Sequence, residues 1–540
     1  MRRRTVFAAS ALGSAGLALS AGCRPPAQVQ PQPTSPPSSS PTVAPVSTAL
    51  KPVKGGTLTL AMARDVTTLD PARLGDVYGE IVLNLVADTL FELDAAGNVV
   101  GRLVEKTDTP QPNVYVFTLR QGLRFHDGAA LDAAAVRWNV QRHVADPQSR
   151  PHSDLKDITG LDVVDRRTLR VTLRGPNAIL PFKLSGTAGY VLNPAAVQKL
   201  GAGLTRSLAD AGSGPFRFAE WRPGLQVVLE RNPAFWKRDE DGASLPYVER
   251  IVLKPVLDEH ARAAGVQAGT LDGLIGGVPG QNLVSLTSDP RLDVAQLPGL
   301  GFAYVALNTT RAPFDRAEVR RAFSLALDRD QIVQQIYGGG LPLATPVPES
   351  LPWAYYRDPH AFRRRDLDAA RQELAAGGRP DGFRFTLQLA GGSPQLQALV
   401  ALMKAQVQEI GLDLQPQEVD FSTALANGAA GNYEALNLNW SGDADPDTLY
   451  SLFYTRASNN YTRYSNPTVD RLLDDARATS DRAKRADFYR QVQRILLEDH
   501  PAAIYYNTPK IVISRKGVQR YPRSHNGYWG MRDLERTWKT

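Results

Sequence analysis

The 540-residue sequence contains one cysteine, Cys23, and seven histidines. One cysteine cannot form an intramolecular disulfide or a cysteine-based metal site. The histidines lack the His-x-x-x-His and His-Glu-x-x-His spacings of zinc enzymes, and no Gly-x-Ser-x-Gly nucleophile elbow occurs. No Lys/Arg run interleaved with aromatic residues marks a nucleic-acid surface. We therefore expect no metal, no cofactor, no nucleic-acid partner and no catalytic activity.

The N-terminus lacks an apolar run long enough to cross a bilayer. Three arginines precede an apolar stretch from Val6 to Leu19, which is followed by Ser20-Ala21-Gly22-Cys23. This stretch is shorter than the ~20 residues that a membrane-spanning helix needs. The layout indicates an export signal over residues 1–23, and the cysteine resembles a lipoprotein cleavage site whose thiol is acylated. A plain secretory signal is the alternative, and Arg3-Arg4 leaves twin-arginine export open.

Residues 24–53 are rich in Pro, Ser, Thr and Gln and contain few large apolar side chains. Such a composition cannot form a core, so we predict an extended tether. Removal of residues 1–22, which hold three Arg and no acid, lowers the formal charge from +7 to +4. That balance does not point to an acidic partner.

From Gly55 onward, strand-like and helix-like stretches alternate, which predicts an α/β fold. Apolar alternation or runs predict strands at Val114–Leu119 and Phe302–Leu307. Asp315 and Glu318 have the spacing of a capping box before a helix. A second short helix is predicted to begin at Asp328 and to end at Gly338.

Five blocks occur in order along the chain. They are Tyr115–Gly128 with Trp138; Gly212–Phe218 with Glu230–Trp236; Gln267–Asp272; Leu307–Asn308 with Ala312–Asp315 and Leu327–Arg329; and Tyr433–Pro446 with Asn460 to Leu472. Their order and spacing resemble bacterial extracellular solute-binding protein family 5, which includes oligopeptide-, dipeptide- and nickel-binding proteins. The resemblance covers nearly all of the chain from Gly55 to about Arg520.

The resemblance implies a two-lobed, periplasmic-binding-protein-like α/β fold of type II with an inserted domain. Its expected parts are lobe I over residues 54–90, 212–306 and 500–540, the inserted domain over 91–211, and lobe II over 307–499. Such lobes close around a ligand by hinge motion.

The implied function is that of an ABC transporter substrate-binding protein, which captures an extracellular solute and delivers it to a membrane permease. A peptide is the expected ligand, and nickel or a metal chelate is the alternative. We expect an exported, monomeric, lipid-anchored protein in the periplasm or on the outer face of the cytoplasmic membrane. An exported hydrolase is disfavoured, because His126-Asp127 falls in a turn of the family pattern.

The resemblance also implies ligand-binding residues. In peptide binders, the acid that corresponds to Asp443 pairs with the ligand's α-ammonium group, and the backbone at the strand end binds the extended peptide. A buried ammonium group needs such a partner. Trp440 would line the pocket or belong to the core, and Asp445 or Asp447 would cap the next helix. The complete predicted set is Asn439, Trp440, Ser441, Gly442, Asp443 and Tyr506.

Overall fold

The computed structural model describes residues 51–275, 280–357, 364–523 and 529–540. The predicted export signal, the lipidation site at Cys23 and nearly all of the predicted tether lie outside the described residues and stay predictions. Within the described ranges, no helix has the length and apolarity that crossing a bilayer requires.

The described residues form strands and helices in alternation. The strands are β1 Thr57–Met62, β2 Phe91–Leu93, β3 Val99–Gly101, β4 Val104–Gln111, β5 Val114–Leu119, β6 Ile158–Val163, β7 Thr168–Leu173, β8 Phe216–Arg222, β9 Gln226–Arg231, β10 Arg250–Pro255, β11 Gly273–Ile275, β12 Leu292–Leu307, β13 Phe383–Ala390, β14 Leu412–Val419, β15 Ala435–Trp440, β16 Ala502–Arg515, β17 Val518–Gln519 and β18 Trp538–Lys539. The helices are α1 Val77–Val86, α2 Ala133–Ala145, α3 His152–Leu155, α4 Leu180–Lys183, α5 Pro194–Leu200, α6 Glu259–Ala268, α7 Gly280–Ser288, α8 Ala317–Ala326, α9 Arg329–Ile332, α10 Leu367–Ala376, α11 Pro394–Gln408, α12 Phe421–Ala430, α13 Thr448–Phe453, α14 Pro467–Ala478 and α15 Arg482–Asp499.

Ten strands form one mixed sheet in the order β14-β13-β15-β12-β16-β11-β1-β10-β9-β8. The strands β1, β10 and β11 pair in parallel at one end, and β13 pairs in parallel with both β14 and β15 at the other. The antiparallel pair β12 and β16 joins the two ends. The sheet therefore has two halves. We call the half around β1 lobe I and the half around β13 lobe II, and the predicted residue ranges of the lobes stay predictions.

Strands β12 and β16 run through both halves. Residues 292–297 of β12 pair with residues 510–515 of β16, in the half of the sheet that contains β11. Residues 302–307 of β12 pair with β15, and residues 302–306 also pair with β16. The pairing is interrupted between Leu297 and Gly301, and a Cβ on Gly299 would lie 1.8 Å from the carbonyl oxygen of Thr508. Such an irregularity bends paired strands locally and is where a hinge between two halves is expected.

The lobe II half of the sheet is covered on both faces. Because side chains alternate along a strand, Phe302 and Tyr304 of β12 enter one apolar cluster, and Ala303 and Val305 enter another. Lobe I has its own cluster around β1, β9 and β10. The predicted boundaries at residues 306/307 and 499/500 stay predictions.

Residues 91–211, predicted as the inserted domain, contain a separate four-stranded sheet in the order β4-β5-β7-β6. Its inner face packs with α2 into a core of its own. Part of this region reaches lobe II, because Ile179 and Phe182 belong to the same apolar cluster as Phe302 and Tyr304.

The local predictions are confirmed except at one helix start. Strands occur at Val114–Leu119 and, within the longer β12, at Phe302–Leu307. The carboxylate of Asp328 caps α9, and the helical segment ends at Gly338, whose φ is +68°. The prediction of a capping box at Asp315 and Glu318 is wrong. The N-cap of α8 is Arg316, without a side-chain cap hydrogen bond, so the acid lies one position too early to cap the helix.

Candidate functional site

The candidate site begins where β15 ends, at Trp440. The next residue, Ser441, is exposed, and Gly442 has a φ of +80°. A Cβ on Gly442 would lie 2.2 Å from the carbonyl oxygen of Leu300, so only glycine lets the chain approach β12 this closely. This turn places Asp443 beside the irregular segment between the two halves of the sheet.

We expect Gly442→Ala to destabilise the protein and to displace Asp443. Gly392→Ala is the matched control, because its φ of +81° gives a similar backbone cost but nothing lies within 4 Å of its Cβ. Positive φ alone costs about 1–2 kcal/mol, so the extra loss in Gly442→Ala reports the clash with Leu300. Urea unfolding of both variants measures it, and equal losses would contradict the close approach.

Two of the three acids after Gly442 are held by arginines. The carboxylate of Asp447 accepts two hydrogen bonds of 2.7 Å from the Nε and Nη2 atoms of Arg477. The Oδ1 atom of Asp445 accepts one of 2.7 Å from Nη2 of Arg485 and one of 2.9 Å from the backbone N–H of Asp447. Asp447 is the N-cap residue of α13 but makes no side-chain cap hydrogen bond. Both acids stabilise the loop by ion pairing. The prediction of a helix cap is wrong for Asp447, whereas Asp445 accepts a backbone N–H at the start of the helix.

Asp443 differs from its two neighbours. Its side chain is half-buried, and within the described ranges its carboxylate has no hydrogen bond or ion pair. Burial raises the pKa of Asp443 to about 6, against a lowering effect of Lys183, and Asp447 and Asp445 raise it further. Because burial disfavours the ionised form of this carboxyl, a cationic ligand group beside it would be stabilising.

The inserted domain places a lysine near Asp443. Lys183, at the end of α4, has its Nζ atom 3.3 Å from Oδ1 of Asp154. Burial lowers the pKa of Lys183, but Asp154, Asp447 and Asp443 outweigh this and raise it above the ordinary value. Close by, the backbone N–H of Ala178 donates to the carbonyl oxygen of Arg477 at 2.7 Å.

Trp440 packs in the core at the end of β15, and its predicted ligand role stays a prediction. Its ring is partly buried against the lobe II cluster that contains Phe302 and Phe182, so it is a core residue. Its indole Nε1–H is buried and has no hydrogen-bond partner in the described part of the protein. Buried donors are rarely left unpaired. The indole is therefore a candidate donor to a ligand as well as an apolar wall.

Asn439 and Tyr506 lie on a different face from Trp440. Both pair with Ala303, from β15 and β16 respectively, so their side chains share a face of the sheet. Tyr506 is buried and stacks on Tyr337 with ring centroids 3.8 Å apart, whereas Asn439 is exposed. The six predicted residues therefore do not form one cluster, and the ligand roles of Asn439 and Tyr506 stay predictions.

His126 and Asp127 lie in a turn, and their side chains contact other residues of the protein. The Nε2 atom of His126 lies 3.0 Å from the carbonyl oxygen of Gly214. Asp127 accepts hydrogen bonds from the side chain of Asn193 and from the backbone N–H of Ala129. The two side chains bind different partners, so they do not form the acid–base pair of a hydrolase. Among the described residues, no group of three or more His, Cys, Asp or Glu side chains is arranged to hold a metal ion.

Sequence reasoning missed the three cations of the site. Arg485 has a detectable signal, because it lies on the buried stripe of α15 with Tyr489, Val492 and Leu496. A charged residue in an apolar helical stripe indicates a buried partner. Lys183 and Arg477 have no comparable signal, since only the tertiary fold brings the inserted domain and α14 together.

A family model described as "Bacterial extracellular solute-binding proteins, family 5 Middle" matches residues 98–461. The chain belongs to this family. As a family 5 solute-binding protein it is of the ABC-transporter substrate-binding class, and the predicted function is confirmed at this level.

This family 5 protein is 28% identical over 469 residues to the glutathione-binding protein GsiB of Pectobacterium atrosepticum, and the match covers 84% of this chain and 88% of that protein. The structure of DppA from Helicobacter pylori in complex with the peptide STSA matches with a TM-score of 0.74 at 23% identity, covering 90% of this chain and 98% of that one. HbpA2 from Haemophilus parasuis matches with a TM-score of 0.79 at 23% identity, covering 90% and 100%. The predicted fold class is confirmed.

Proposed function

We propose that the protein binds a peptide between its two lobes, with the peptide's ammonium group on Asp443. The supporting observation is the half-buried carboxylate of Asp443, which has no direct partner among the described residues although its two acidic neighbours each have an arginine. A cationic group of the ligand would pair with Asp443 and offset the free-energy cost of burying its carboxylate. No catalytic step is required of the protein.

The charges around Asp443 support a cationic ligand group. The acids of this cluster outnumber its cations by one. The acids are Asp154, Asp443, Asp445 and Asp447, and the cations are Lys183, Arg477 and Arg485. One ammonium group balances the excess. GsiB is named as a glutathione-binding protein, and the DppA structure is a complex with the peptide STSA.

Native mass spectrometry of the mature protein, followed by calorimetry with a peptide library and with glutathione, tests this function. We expect co-purified or added peptides to bind with one molecule per chain. Nickel and nickel chelates are the comparison ligands, and peptidase and esterase assays on the same sample test for catalysis. Tight binding of nickel without any peptide, or turnover of a substrate, would overturn the proposal.

We expect peptide affinity to fall as the pH is lowered through 6. Burial raises the pKa of Asp443 to about 6, and the protonated carboxyl no longer attracts a cation. At pH 5 only about one tenth of such a group is ionised, so affinity is expected to be about tenfold lower than at pH 7.5. Calorimetry with tri-alanine at both pH values measures this change. An affinity independent of pH would contradict a role for an ionised Asp443.

The location and the membrane partner that we propose are those expected of a substrate-binding protein of this class. We propose that the mature chain is exported and held at the outer face of the cytoplasmic membrane by a lipid on Cys23, acts as a monomer, and delivers its ligand to an ABC permease. Replacing Cys23 with serine is expected to release the protein from membranes into the soluble fraction. Retention of that variant on membranes would contradict the anchor.

A further inference from the structure

A segment of the inserted domain is built into lobe II beside Asp443. Ile179 and Phe182 share an apolar cluster with Ala444, the residue that follows Asp443. The hydrogen bond from Ala178 to Arg477 fixes the start of the segment on α14. These contacts anchor α4 across the lobe boundary, so packing places the backbone of Lys183 next to the acids while its side chain can still move.

Lys183 lies among several negative charges. Its ammonium group is within 3.3 Å of Asp154, and it also attracts Asp447 and Asp443 electrostatically. Asp447 already has two hydrogen bonds from Arg477. Lys183 is the strongest cationic neighbour of Asp443. The carboxylate proposed to receive a ligand's ammonium group is therefore partly neutralised from across the lobe boundary.

We infer that Lys183 is an internal counter-ion of Asp443, which the ammonium group of a ligand displaces on binding. The inference rests on the proposed function and names the residue that sets how strongly a free amino terminus is bound. Two cations beside one carboxylate repel each other, so Lys183 weakens the binding of ligands that place an ammonium group on Asp443 and does not weaken the binding of ligands that lack one. Such a counter-ion also favours release of the ligand.

The opposite role, in which Lys183 binds a carboxylate of the ligand, is disfavoured by the local charges. The acids of this cluster already outnumber its cations, and a ligand carboxylate would add a further negative charge. Asp154 also competes for the same ammonium group at 3.3 Å. The two roles predict opposite effects when the charge of Lys183 is removed.

Calorimetry with tri-alanine and with N-acetyl-tri-alanine separates the two roles. We expect Lys183→Gln to bind tri-alanine about tenfold more tightly than the wild type, with no change for the acetylated peptide. Lys156→Gln is the matched control, because Lys156 is an exposed lysine of the same domain, and it should change neither affinity. Unchanged or weaker binding of tri-alanine by Lys183→Gln would overturn the inference.

A second measurement does not depend on any ligand. Carboxyl-carbon NMR of the protein without added peptide follows the titration of Asp443. Loss of Lys183 removes a neighbour that lowers this pKa, so Lys183→Gln should raise the pKa of Asp443 above that of the wild type. An unchanged pKa overturns the counter-ion role even if peptides bind. If no peptide binds to any variant, the proposed function fails, whatever the NMR titration shows.

Discussion

Replacing Asp443 with asparagine is expected to weaken the binding of tri-alanine at pH 7.5 by about 100-fold, the usual cost of removing one partner of a buried charge pair. The amide has the same shape but cannot balance the ammonium group. Calorimetry or fluorescence titration of the purified mature protein measures the loss. Asp368→Asn is the control, because its side chain is 91% exposed on α10, and we expect it to bind like the wild type.

In the absence of ligand, Asp443→Asn should be more stable than the wild type. The folded-state pKa of Asp443 is raised to about 6 from 3.8, so the folded state binds more protons than the unfolded state between these values. Stability therefore falls as the pH rises through this window, and at pH 7.5 the ionised Asp443 destabilises the fold. Asp443→Asn removes that cost, which predicts a higher unfolding temperature. Unchanged binding together with lower stability would show that Asp443 has only a structural role.

The sequence predicted the fold well because the signals for strands and helices are local. Val114–Leu119 and the helical segment that starts at Asp328 were predicted with bounds close to those observed. The start of α8 was missed because Arg320 donates to the carbonyl oxygens of Phe314 and Asp315. These contacts depend on the position of a side chain one turn later, which the capping-box pattern does not include.

The site was predicted only in part, for a different physical reason. Gly442 and Asp443 entered the predicted ligand-binding set because the family resemblance extends through a continuous run at the end of β15, and their ligand roles stay predictions. Lys183 was missed because its place beside Asp443 depends on how the inserted domain packs against lobe II. The register of β16 against β12 and the stacking of Tyr506 on Tyr337 likewise could not be read from the sequence, and the ligand role of Tyr506 stays a prediction.

Two charged regions differ in whether each group has a direct protein partner. The carboxylate of Asp443 has no hydrogen bond or ion pair among the described residues. Where the inserted domain meets lobe I, by contrast, the fully buried Arg102 donates from three different nitrogens to Asp88, Glu92 and Glu535. Lys237 adds ion pairs of 3.1 Å to Glu92 and 2.8 Å to Glu535. This second network joins the hairpin of β2 and β3 to the C-terminal segment, and its groups already have protein partners.

Arg102→Met is therefore expected to lower the free energy of unfolding by about 3–5 kcal/mol at pH 7, because it leaves the buried carboxylates of Asp88 and Glu535 short of a cation. Urea unfolding followed by circular dichroism measures this loss. Arg384→Met is the control, because its pair with Asp413 is 76% exposed on the arginine side, and such pairs contribute about 0–1 kcal/mol.

The loss in Arg102→Met should shrink as the pH falls. Burial opposes the charge of Glu92, but Arg102 and Lys237 outweigh it and lower the pKa of this carboxyl from 4.5 to about 2. A lowered pKa stabilises the folded state above pH 4.5, and this contribution disappears as the pH falls towards 2. The difference in unfolding free energy between the wild type and Arg102→Met is thus expected to be smaller at pH 3 than at pH 7. A difference that stays constant over this range would mean that Arg102 stabilises the junction of the inserted domain and lobe I by packing and not through the charges of its three partners.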